Sequence, residues 1–417
     1  MLKRTLVLFL AISTIEAQSL VIRAGTVLDG KGGLLRNRYI VVENGRIVEV
    51  TTVKRPITYD LSRFTVMPGW IDTHVHLSGH FSANSLGGGG SNRGSAPRVA
   101  GPTSGAPAIR GAGARESDQE VALYTAGNAY TTLLAGFTTV QSLGSAVDAP
   151  VRDLINAGIL PGPRILTALR SIRVNTGTPG QIREEIRRLK AEGADVVKVY
   201  ATESIRTGGG PSMTAEQIQA ACSEARAVGL RSVVHAQVAS GAKTAALAGC
   251  TQVEHGSLID DEALKLIAEH KVFFDPTFTV FHRYLETRSH FNYNAEGAGW
   301  MEKGAALEAE AVKKALALKV RIVLGSDANA GVHGYNADEF VYRVKEGGQS
   351  PMDAIISGTS LAAESLGLQD RIGFVGEGLE ADLVAIDGNP LVDITAVRQV
   401  VFVMKGGKVY KNSSKKP

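Results

Sequence analysis

The sequence predicts an α/β fold: a (β/α)₈ TIM barrel with a small β-sandwich domain built from both termini. Strand-like and helix-like runs alternate from about residue 66 to residue 366, and short strand-like runs separated by turns occupy both ends. Eight strands, each followed by helical sequence, are the number that closes a parallel barrel. A doubly wound open sheet is the alternative, because periodicity alone does not show closure.

The predicted barrel strands are short apolar runs, and amphipathic segments such as 181–192 and 215–228 lie between them. Capping boxes open two helices, with Ser117 before Glu120 and Thr214 before Gln217. The strands are predicted at 66–77, 137–144, 163–168, 194–201, 231–237, 252–256, 272–278 and 321–328.

The β-rich ends define the domain boundaries. Residues 18–65 and 367–417 alternate in short runs with turns at Asp29-Gly30 and Asp387-Gly388, so we expect them to form the two parts of the sandwich. Residues 66–366 form the barrel. Within it, residues 82–115 are rich in Gly, Ser, Ala and Pro, which predicts a flexible, solvated insertion more readily than a lid.

The first 17 residues resemble a secretory signal. Lys3 and Arg4 precede an apolar run at 6–12, and Ala17 offers a cleavage point before Gln18. The apolar run is too short to span a bilayer, and the alternative is a buried first strand. We therefore expect an exported protein, periplasmic or secreted, with no membrane contact after signal cleavage.

Composition argues for an ordinary globular protein. The chain has 417 residues, is 44% hydrophobic and 21% charged, and carries a formal net charge of only +4. The basic cluster at 411–416 is typical of a solvated tail, so no nucleic-acid partner is expected.

Cys222 and Cys250 could pair in an oxidising compartment or remain two buried thiols. The expected partner is a small-molecule substrate, and the sequence leaves a homo-oligomer open.

Candidate metal ligands begin at the end of the first barrel strand. His74 and His76 are two residues apart, so both imidazoles project from the same face of the strand. Paired imidazoles are good ligands for a divalent cation, although an isolated His-x-His pattern is a weak signal.

Further polar residues fall near the ends of later strands. Lys198 lies in the apolar run VVKVY, where it either pairs with a carboxylate or, as a neutral amine, adds carbon dioxide to form a carbamate. His235, His255 and Asp327 lie near the ends of the fifth, sixth and eighth strands. Barrel active sites form at the C-terminal ends of the strands, so these residues together predict one metal centre.

The motifs resemble those of the amidohydrolase superfamily. MPGWIDTHVH at 67–76 is similar to its opening motif, and 193–199, VHA at 234–236, EHG at 254–256, GSD at 325–327 and the closing 378–391 follow in the same order. The resemblance covers nearly the whole chain after the signal, apart from 82–115. The most similar branch is that of imidazolonepropionase-like and Xaa-Pro dipeptidase-like enzymes.

The resemblance implies a two-metal site. His74, His76 and Asp327 would hold one divalent ion, His235 and His255 the second, and carboxylated Lys198 (N6-carboxylysine) would bridge them. Zinc suits these ligands best, with manganese, iron and cobalt as alternatives. A metal-bridged hydroxide would attack the scissile carbonyl, and Asp327 would shuttle the proton to the leaving amine.

Two further residues, and one departure from the family pattern, concern contact with the substrate. Tyr200 and His333 match positions that face substrate in similar enzymes, and simple packing is the alternative for each. Many relatives carry Arg-Asp after the Thr-Thr-Val of the second strand, where this chain has Gln141-Ser142, so a contact made there in relatives is in question.

The resemblance favours hydrolysis of a C–N bond in a small molecule, with an Xaa-Pro dipeptide or another N-acyl amino acid as the best substrate class. Alternatives are a cyclic amide or imidazolone ring, and a lactone or phosphoester cleaved at the same metals. A non-catalytic binding barrel would be expected to lack ligands, and none is missing from the sequence.

Overall fold

The computed structural model describes residues 19–81, 116–291 and 293–414. The predicted signal peptide and the predicted insertion at 82–115 lie outside these ranges. The strands within them share short, largely buried sequences. They are β1 (Leu20–Leu28), β2 (Leu34–Glu43), β3 (Arg46–Thr51), β4 (Tyr59–Pro68), β5 (Trp70–Val75), β6 (Phe137–Ser142), β7 (Arg164–Thr167), β8 (Ser171–Ile172), β9 (Val196–Tyr200), β10 (Arg231–His235), β11 (Gln252–Glu254), β12 (Phe273–Asp275), β13 (Arg321–Ile322), β14 (Leu383–Ile386), β15 (Val400–Lys405) and β16 (Lys408–Asn412).

The α-helices mostly follow the strands of the central region. They are α1 (Asp118–Leu134), α2 (Asp148–Asn156), α3 (Pro179–Ala191), α4 (Ala215–Ala227), α5 (Ala239–Leu247), α6 (Asp261–Glu269), α7 (Thr279–Thr287), α8 (Ala295–Ala317), α9 (Asp338–Lys345), α10 (Pro351–Ser357) and α11 (Ser360–Ser365). The capping boxes predicted at Ser117 and Thr214 open α1 and α4. Within the described ranges, no helix combines the length and the apolar character that crossing a membrane requires.

Strands from both ends of the chain form one seven-stranded sheet in the order β16-β15-β14-β4-β1-β2-β3. Strands from both termini thus join in one sheet, and this sheet is continuous where a sandwich would have two separate sheets. The sheet curves back on itself, because Arg46 on β3 forms a bridge with Glu380, just before β14. Alternate residues such as Ile22, Ile40 and Phe402 are buried in the core that this curved sheet encloses.

The remaining strands form two parallel sheets, β5-β6-β7 and β13-β12-β11-β10-β9-β8. Backbone hydrogen bonds link the sheets near both pairs of edges. The Thr73 amide donates to the Leu324 carbonyl at 2.8 Å, beside β13, and the Asp195 amide donates to the Thr167 carbonyl at 2.9 Å, before β9. The carboxyl ends of β5, β9, β10 and β11 consequently lie near one another.

The run predicted as one strand at 66–77 is divided at Gly69. Residues up to Pro68 pair with β1 and β14 in the terminal sheet, whereas β5 pairs with β6. A side chain at position 69 would collide with Thr138, since a Cβ placed there would lie 2.3 Å from its hydroxyl oxygen. Glycine therefore allows the chain to pass between the two sheets at this point.

The helices cover the six-stranded sheet with a continuous apolar core. Residues such as Ile186 of α3, Ile218 of α4 and Leu264 of α6 pack with Val197 and Val234 from the strands. Cys222 of α4 and Cys250, just before β11, form a disulfide with their Cα atoms 5.1 Å apart. Of the two alternatives left open for these residues, the structure has the paired one.

Candidate metal centre

Strand β5 supplies His74 and leads directly into His76, and it is hydrogen-bonded to the segment that precedes Asp327. Asp72, His74 and His76 alternate along the strand, as the period of two requires. The buried Asp72 carboxylate accepts hydrogen bonds from the backbone amides of His74 (3.1 Å) and Ser326 (3.0 Å), and from the Asn336 side chain (2.8 Å). Asp72 thereby ties the His-x-His strand to the segment immediately before Asp327.

Three predicted ligands converge at this junction. Asp327 Oδ1 lies 3.4 Å from His74 Nε2 and 3.2 Å from His76 Nε2, and the two imidazole nitrogens lie 3.4 Å apart. Asp327 adopts a positive φ of 50°, which is uncommon for a residue other than glycine. This backbone conformation turns its carboxylate toward the two imidazoles.

His235, the last residue of β10, and His255, the residue after β11, complete the cluster. The ring centroid of His255 lies 5.1 Å from that of His74 and 4.4 Å from that of His235. Thr277 Oγ1 lies 2.9 Å from His255 Nδ1, and the Glu203 carbonyl lies 3.2 Å from His235 Nε2. One ring nitrogen of each histidine is therefore held by the protein, which leaves Nε2 of His255 and Nδ1 of His235 for a metal ion.

Lys198 lies at the base of the cluster, fully buried, and its ammonium contacts the carboxylate of Glu254. Of the two alternatives for this lysine, the unmodified side chain thus forms the ion pair. The second oxygen, Glu254 Oε1, lies 3.5 Å from His74 Nδ1. Glu254 therefore connects the lysine to the first imidazole.

Burial keeps the histidines neutral. It lowers the pKa of His74 and His255 well below their ordinary value, with nearby positive charge adding to the effect. Burial, together with the charges of Lys198 and Arg173, lowers the pKa of His235 to about 3. Neutral imidazoles are the form that binds metal ions.

These residues fit divalent metal ions. His74, His255 and Asp327 each offer one ligand atom, and the three atoms lie within 4.8 Å of one another. His74 Nδ1 and Glu254 Oε1 are buried without a hydrogen-bond partner in the described parts of the chain. These two atoms lie 3.5 Å from each other, whereas His74 Nε2 faces Asp327 and His76 and is the ring nitrogen available to a metal ion.

The two predicted substrate-facing residues lie on different sides of the cluster. Tyr200 stacks on His235 with ring centroids 4.8 Å apart. His333 is half-buried near His76 and His80, with both ring nitrogens shielded from solvent, and this burial lowers its pKa to about 4. Contact of either residue with the substrate stays a prediction.

Gln141, where the chain departs from the family pattern, forms hydrogen bonds with residues of two other strands. Gln141 donates to the Thr73 carbonyl at 2.9 Å, and its side-chain oxygen accepts a hydrogen bond from Arg231 at 2.8 Å. The guanidinium here comes from the start of β10, and burial lowers the pKa of Arg231 to about 10. Gln141 of β6 therefore links the Thr73 backbone of β5 to Arg231 at the start of β10.

Glu254 was not predicted as a site residue. Strict alternation along a strand places Glu254 and His255 on opposite faces. His255 has a positive φ of 67°, so the backbone leaves the extended conformation and both side chains approach His74. The signal that could have found it was the position of a carboxylate within a predicted barrel strand, directly before a candidate ligand.

Comparison with known proteins finds relatives that match nearly the whole chain. The chain is 27% identical to ochratoxinase from Aspergillus niger, over 96% of this chain and 88% of that protein. A crystal structure of a Xaa-Pro dipeptidase with bound methionine matches with a TM-score of 0.83 at 28% identity, covering 95% of this chain and all of that one. The crystal structure of A. niger ochratoxinase matches with a TM-score of 0.78 at 23% identity, covering 95% of this chain and 96% of that one.

The family model for the amidohydrolase family matches residues 65–410, from the end of β4 to the last strand. This range contains every residue of the imidazole and carboxylate cluster. The resemblance found in the sequence motifs is therefore confirmed. The chain belongs to the amidohydrolase family and is a hydrolase that acts on carbon–nitrogen bonds.

Proposed function

We propose that this protein hydrolyses the amide bond of a small N-acyl amino acid or Xaa-Pro dipeptide at a two-metal site. The observation that carries the proposal is the convergence of Asp327 on His74 and His76, beside the second imidazole pair. The substrate class draws support from two relatives, a Xaa-Pro dipeptidase and ochratoxinase. Zinc is the proposed metal, since it accepts nitrogen and oxygen ligands readily.

The proposed scaffold for this site is a closed eight-stranded barrel, in which β7 and β8, separated by only three residues, together occupy one strand position. The two parallel sheets are linked near both pairs of edges, and a barrel is the arrangement in which such links leave no free edge. In a barrel, the C-terminal ends of the strands surround the active site. His76, Tyr200 and His235 lie at such ends.

The residues have separate roles in the proposed reaction. His74, His76 and Asp327 would hold one metal, His235 and His255 the other, and a carbamate on Lys198 would bridge them. When bound, the metals would lower the pKa of a coordinated water and polarise the scissile carbonyl. Asp327, whose side chain is 17% exposed, accepts the proton of the attacking water and passes it to the leaving nitrogen.

Lys198 must change partners for this arrangement to form. Its ammonium contacts Glu254 when unmodified. The ammonium first loses a proton to water; the neutral amine then bonds to the carbon of carbon dioxide and releases a second proton to water, which gives an anionic carbamate. The carbamate would turn away from Glu254 and toward the metals, because two buried anions repel each other.

A substrate panel tests the function. Zinc-loaded protein should cleave N-acyl amino acids and Xaa-Pro dipeptides faster than an imidazolone, a lactone or a phosphotriester at equal concentration. The products of every compound are measured by liquid chromatography, before and after removal of metal by chelation, because a lactone and a phosphotriester release no amine. Faster cleavage of the lactone or phosphotriester would replace the proposed substrate class, and turnover unaffected by chelation would refute the metal site.

We also propose that the protein is exported. The Cys222–Cys250 disulfide supports this, because such bonds persist in oxidising compartments. The mature chain from the native cell should begin near Gln18, and N-terminal sequencing would show it. An intact Met1 in a cytoplasmic fraction would contradict export.

A further inference from the structure

Arg173 is an exposed arginine in the loop that follows β8, and strand register explains its position. Ile172 of β8 pairs with Val199 of β9, so the next residues along the two strands, Arg173 and Tyr200, are neighbours. Tyr200 in turn pairs with His235 of β10. The three side chains therefore form a row across three adjacent strands.

The row is also stacked. The guanidinium carbon of Arg173 lies 3.6 Å from the centroid of the Tyr200 ring, and that ring lies 4.8 Å from the His235 ring. Stacking occupies the flat face of a guanidinium and leaves the N–H groups along its edge available. In the described residues, Arg173 forms no ion pair with a carboxylate.

A second arginine at the same rim is arranged differently. Arg206 follows β9, its guanidinium lies over the Tyr293 ring at 4.9 Å, and its Nε donates to Ser204 Oγ at 3.2 Å. Part of its hydrogen-bonding edge is therefore already used within the loop. Arg206 also lacks the direct stack onto an aromatic ring that touches a metal-binding imidazole.

We propose that Arg173 binds the free carboxylate of the substrate's amino acid, and so selects N-acyl amino acids with an unblocked carboxyl group. This inference rests on the proposed amide hydrolysis. One extended residue spans about 3.5 Å. A carboxylate one residue beyond a carbonyl held at the imidazoles therefore falls beside Tyr200, within reach of the guanidinium edge. Arginine binds carboxylates through paired N–H donors, which fixes both charge and orientation.

The test compares an acid with its neutral analogue. N-acetyl-L-methionine and N-acetyl-L-methioninol contain the same amide, but the second has a hydroxymethyl group in place of the carboxylate. Wild-type protein should prefer the acid. Arg173→Ala should raise KM for the acid by ~10–10², the worth of a charge-assisted hydrogen bond, with kcat changed little. Its KM for the alcohol should stay within about twofold, so the preference disappears.

Two further variants separate recognition from general damage. Arg173→Lys keeps the charge but not the paired donors, so it should restore part of the preference. Arg206→Ala removes an arginine from the same rim and should leave the preference intact. An equal loss on both compounds in Arg173→Ala, or an unchanged preference, would overturn the proposal.

Binding distinguishes failure of this inference from failure of the proposed function. If the wild-type protein cleaves neither compound, amide hydrolysis of this substrate class is refuted. Calorimetric titration of both uncleaved compounds into zinc-loaded wild type and Arg173→Ala then tests carboxylate binding alone. Tighter binding of the acid that depends on Arg173 supports the inference, and equal binding of both compounds to both proteins overturns it.

Discussion

At the scale of single residues, the site depends on carboxylates in different environments. Asp72 is fully buried and joins β5 to the segment carrying Asp327 through hydrogen bonds to Ser326 and Asn336. Asp327 remains partly exposed beside two imidazoles. The buried residue positions the strand ends, whereas the exposed one is available to water and substrate.

Replacing Asp327 separates metal binding from proton transfer. Asparagine keeps the size and one oxygen but cannot accept a proton from water. Metal content should fall only modestly in Asp327→Asn, because four histidines and the Lys198 carbamate remain, whereas turnover should fall by ~10²–10⁴. His74→Ala should lose metal and activity together. If Asp327→Asn keeps its metal and turns over within a few-fold of wild type, Asp327 is not the proton shuttle.

A second buried carboxylate predicts a pH dependence of stability. Asp148, at the start of α2, is buried beside Thr167, and burial raises its pKa from 3.8 to about 6. The folded state therefore holds this proton more tightly than the unfolded state. The contribution of Asp148 to stability is most favourable below about pH 4, declines as pH rises to about 6, and is constant above.

Asp148→Asn should remove that decline. The stability of the variant relative to wild type should improve by up to about 3 kcal/mol between pH 4 and pH 7, because one pKa unit corresponds to about 1.4 kcal/mol. Denaturant unfolding at pH 4, 5, 6 and 7 measures it. The exposed Asp153 on the same helix is the control, and Asp153→Asn should follow wild type. Parallel curves for Asp148→Asn and wild type would show that its carboxyl group is not perturbed.

The residues that sequence predicts well are those whose spacing alone places them. His74 and His76 follow the period of a strand, and His235 and His255 fall near strand ends. Glu254 escapes the same reasoning, since its approach to His74 depends on a positive φ at the next residue. Arg173 escapes it too, because its stack on Tyr200 depends on the register between two strands.

At the scale of elements, the packing of α7 against α8 depends on one glycine. A Cβ at Gly304 of α8 would lie 2.1 Å from the Phe281 ring of α7, so the helices approach through this gap. Gly299 lies on the same helix with nothing within 4 Å of its Cβ direction. Both glycines lie in the same helix, so the gain in helix propensity from alanine is alike, but only position 304 is crowded by a neighbouring side chain.

Alanine substitutions at these two positions should have opposite effects. Gly299→Ala should stabilise the protein by about 0.5–1 kcal/mol, because alanine favours helix over glycine. Gly304→Ala should destabilise it by about 1–3 kcal/mol, because the added methyl group overpacks the interface with Phe281. Thermal or denaturant unfolding of both variants measures this. Equal stabilisation by both would show that the helices do not approach so closely.

The hydrophobic pattern of the sequence does not determine where one strand ends and the next begins, or which distant strands pair. Strand-like sequence continues through 66–77, yet Gly69 passes the chain from one sheet to another, a change that hydrophobic pattern does not reveal. The terminal strands were predicted individually from their turns, whereas their union in one curved sheet depends on pairing between distant strands such as β4 and β14. Short-range sequence signals carry no information about such pairing.

At the scale of the whole molecule, the curved terminal sheet and the parallel sheets share a core. Val384 and Val403 of the terminal sheet pack with Trp70 and Phe137, which lie on β5 and β6. Arg164, at the start of β7, also contacts Glu380 and Asp382 beside β14. The strand that carries His74 and His76 is thus supported from the terminal sheet, which links the ends of the chain to the site.

The number of zinc ions bound per chain tests whether Lys198 bridges a two-metal site. Purified wild-type protein, saturated with zinc in bicarbonate buffer and freed of excess ion, should hold close to two ions per chain by elemental analysis. Lys198→Ala should hold fewer, because the bridging carbamate is lost. One ion at saturation in wild-type protein, with the same content in Lys198→Ala, would contradict the lysine-bridged two-metal site.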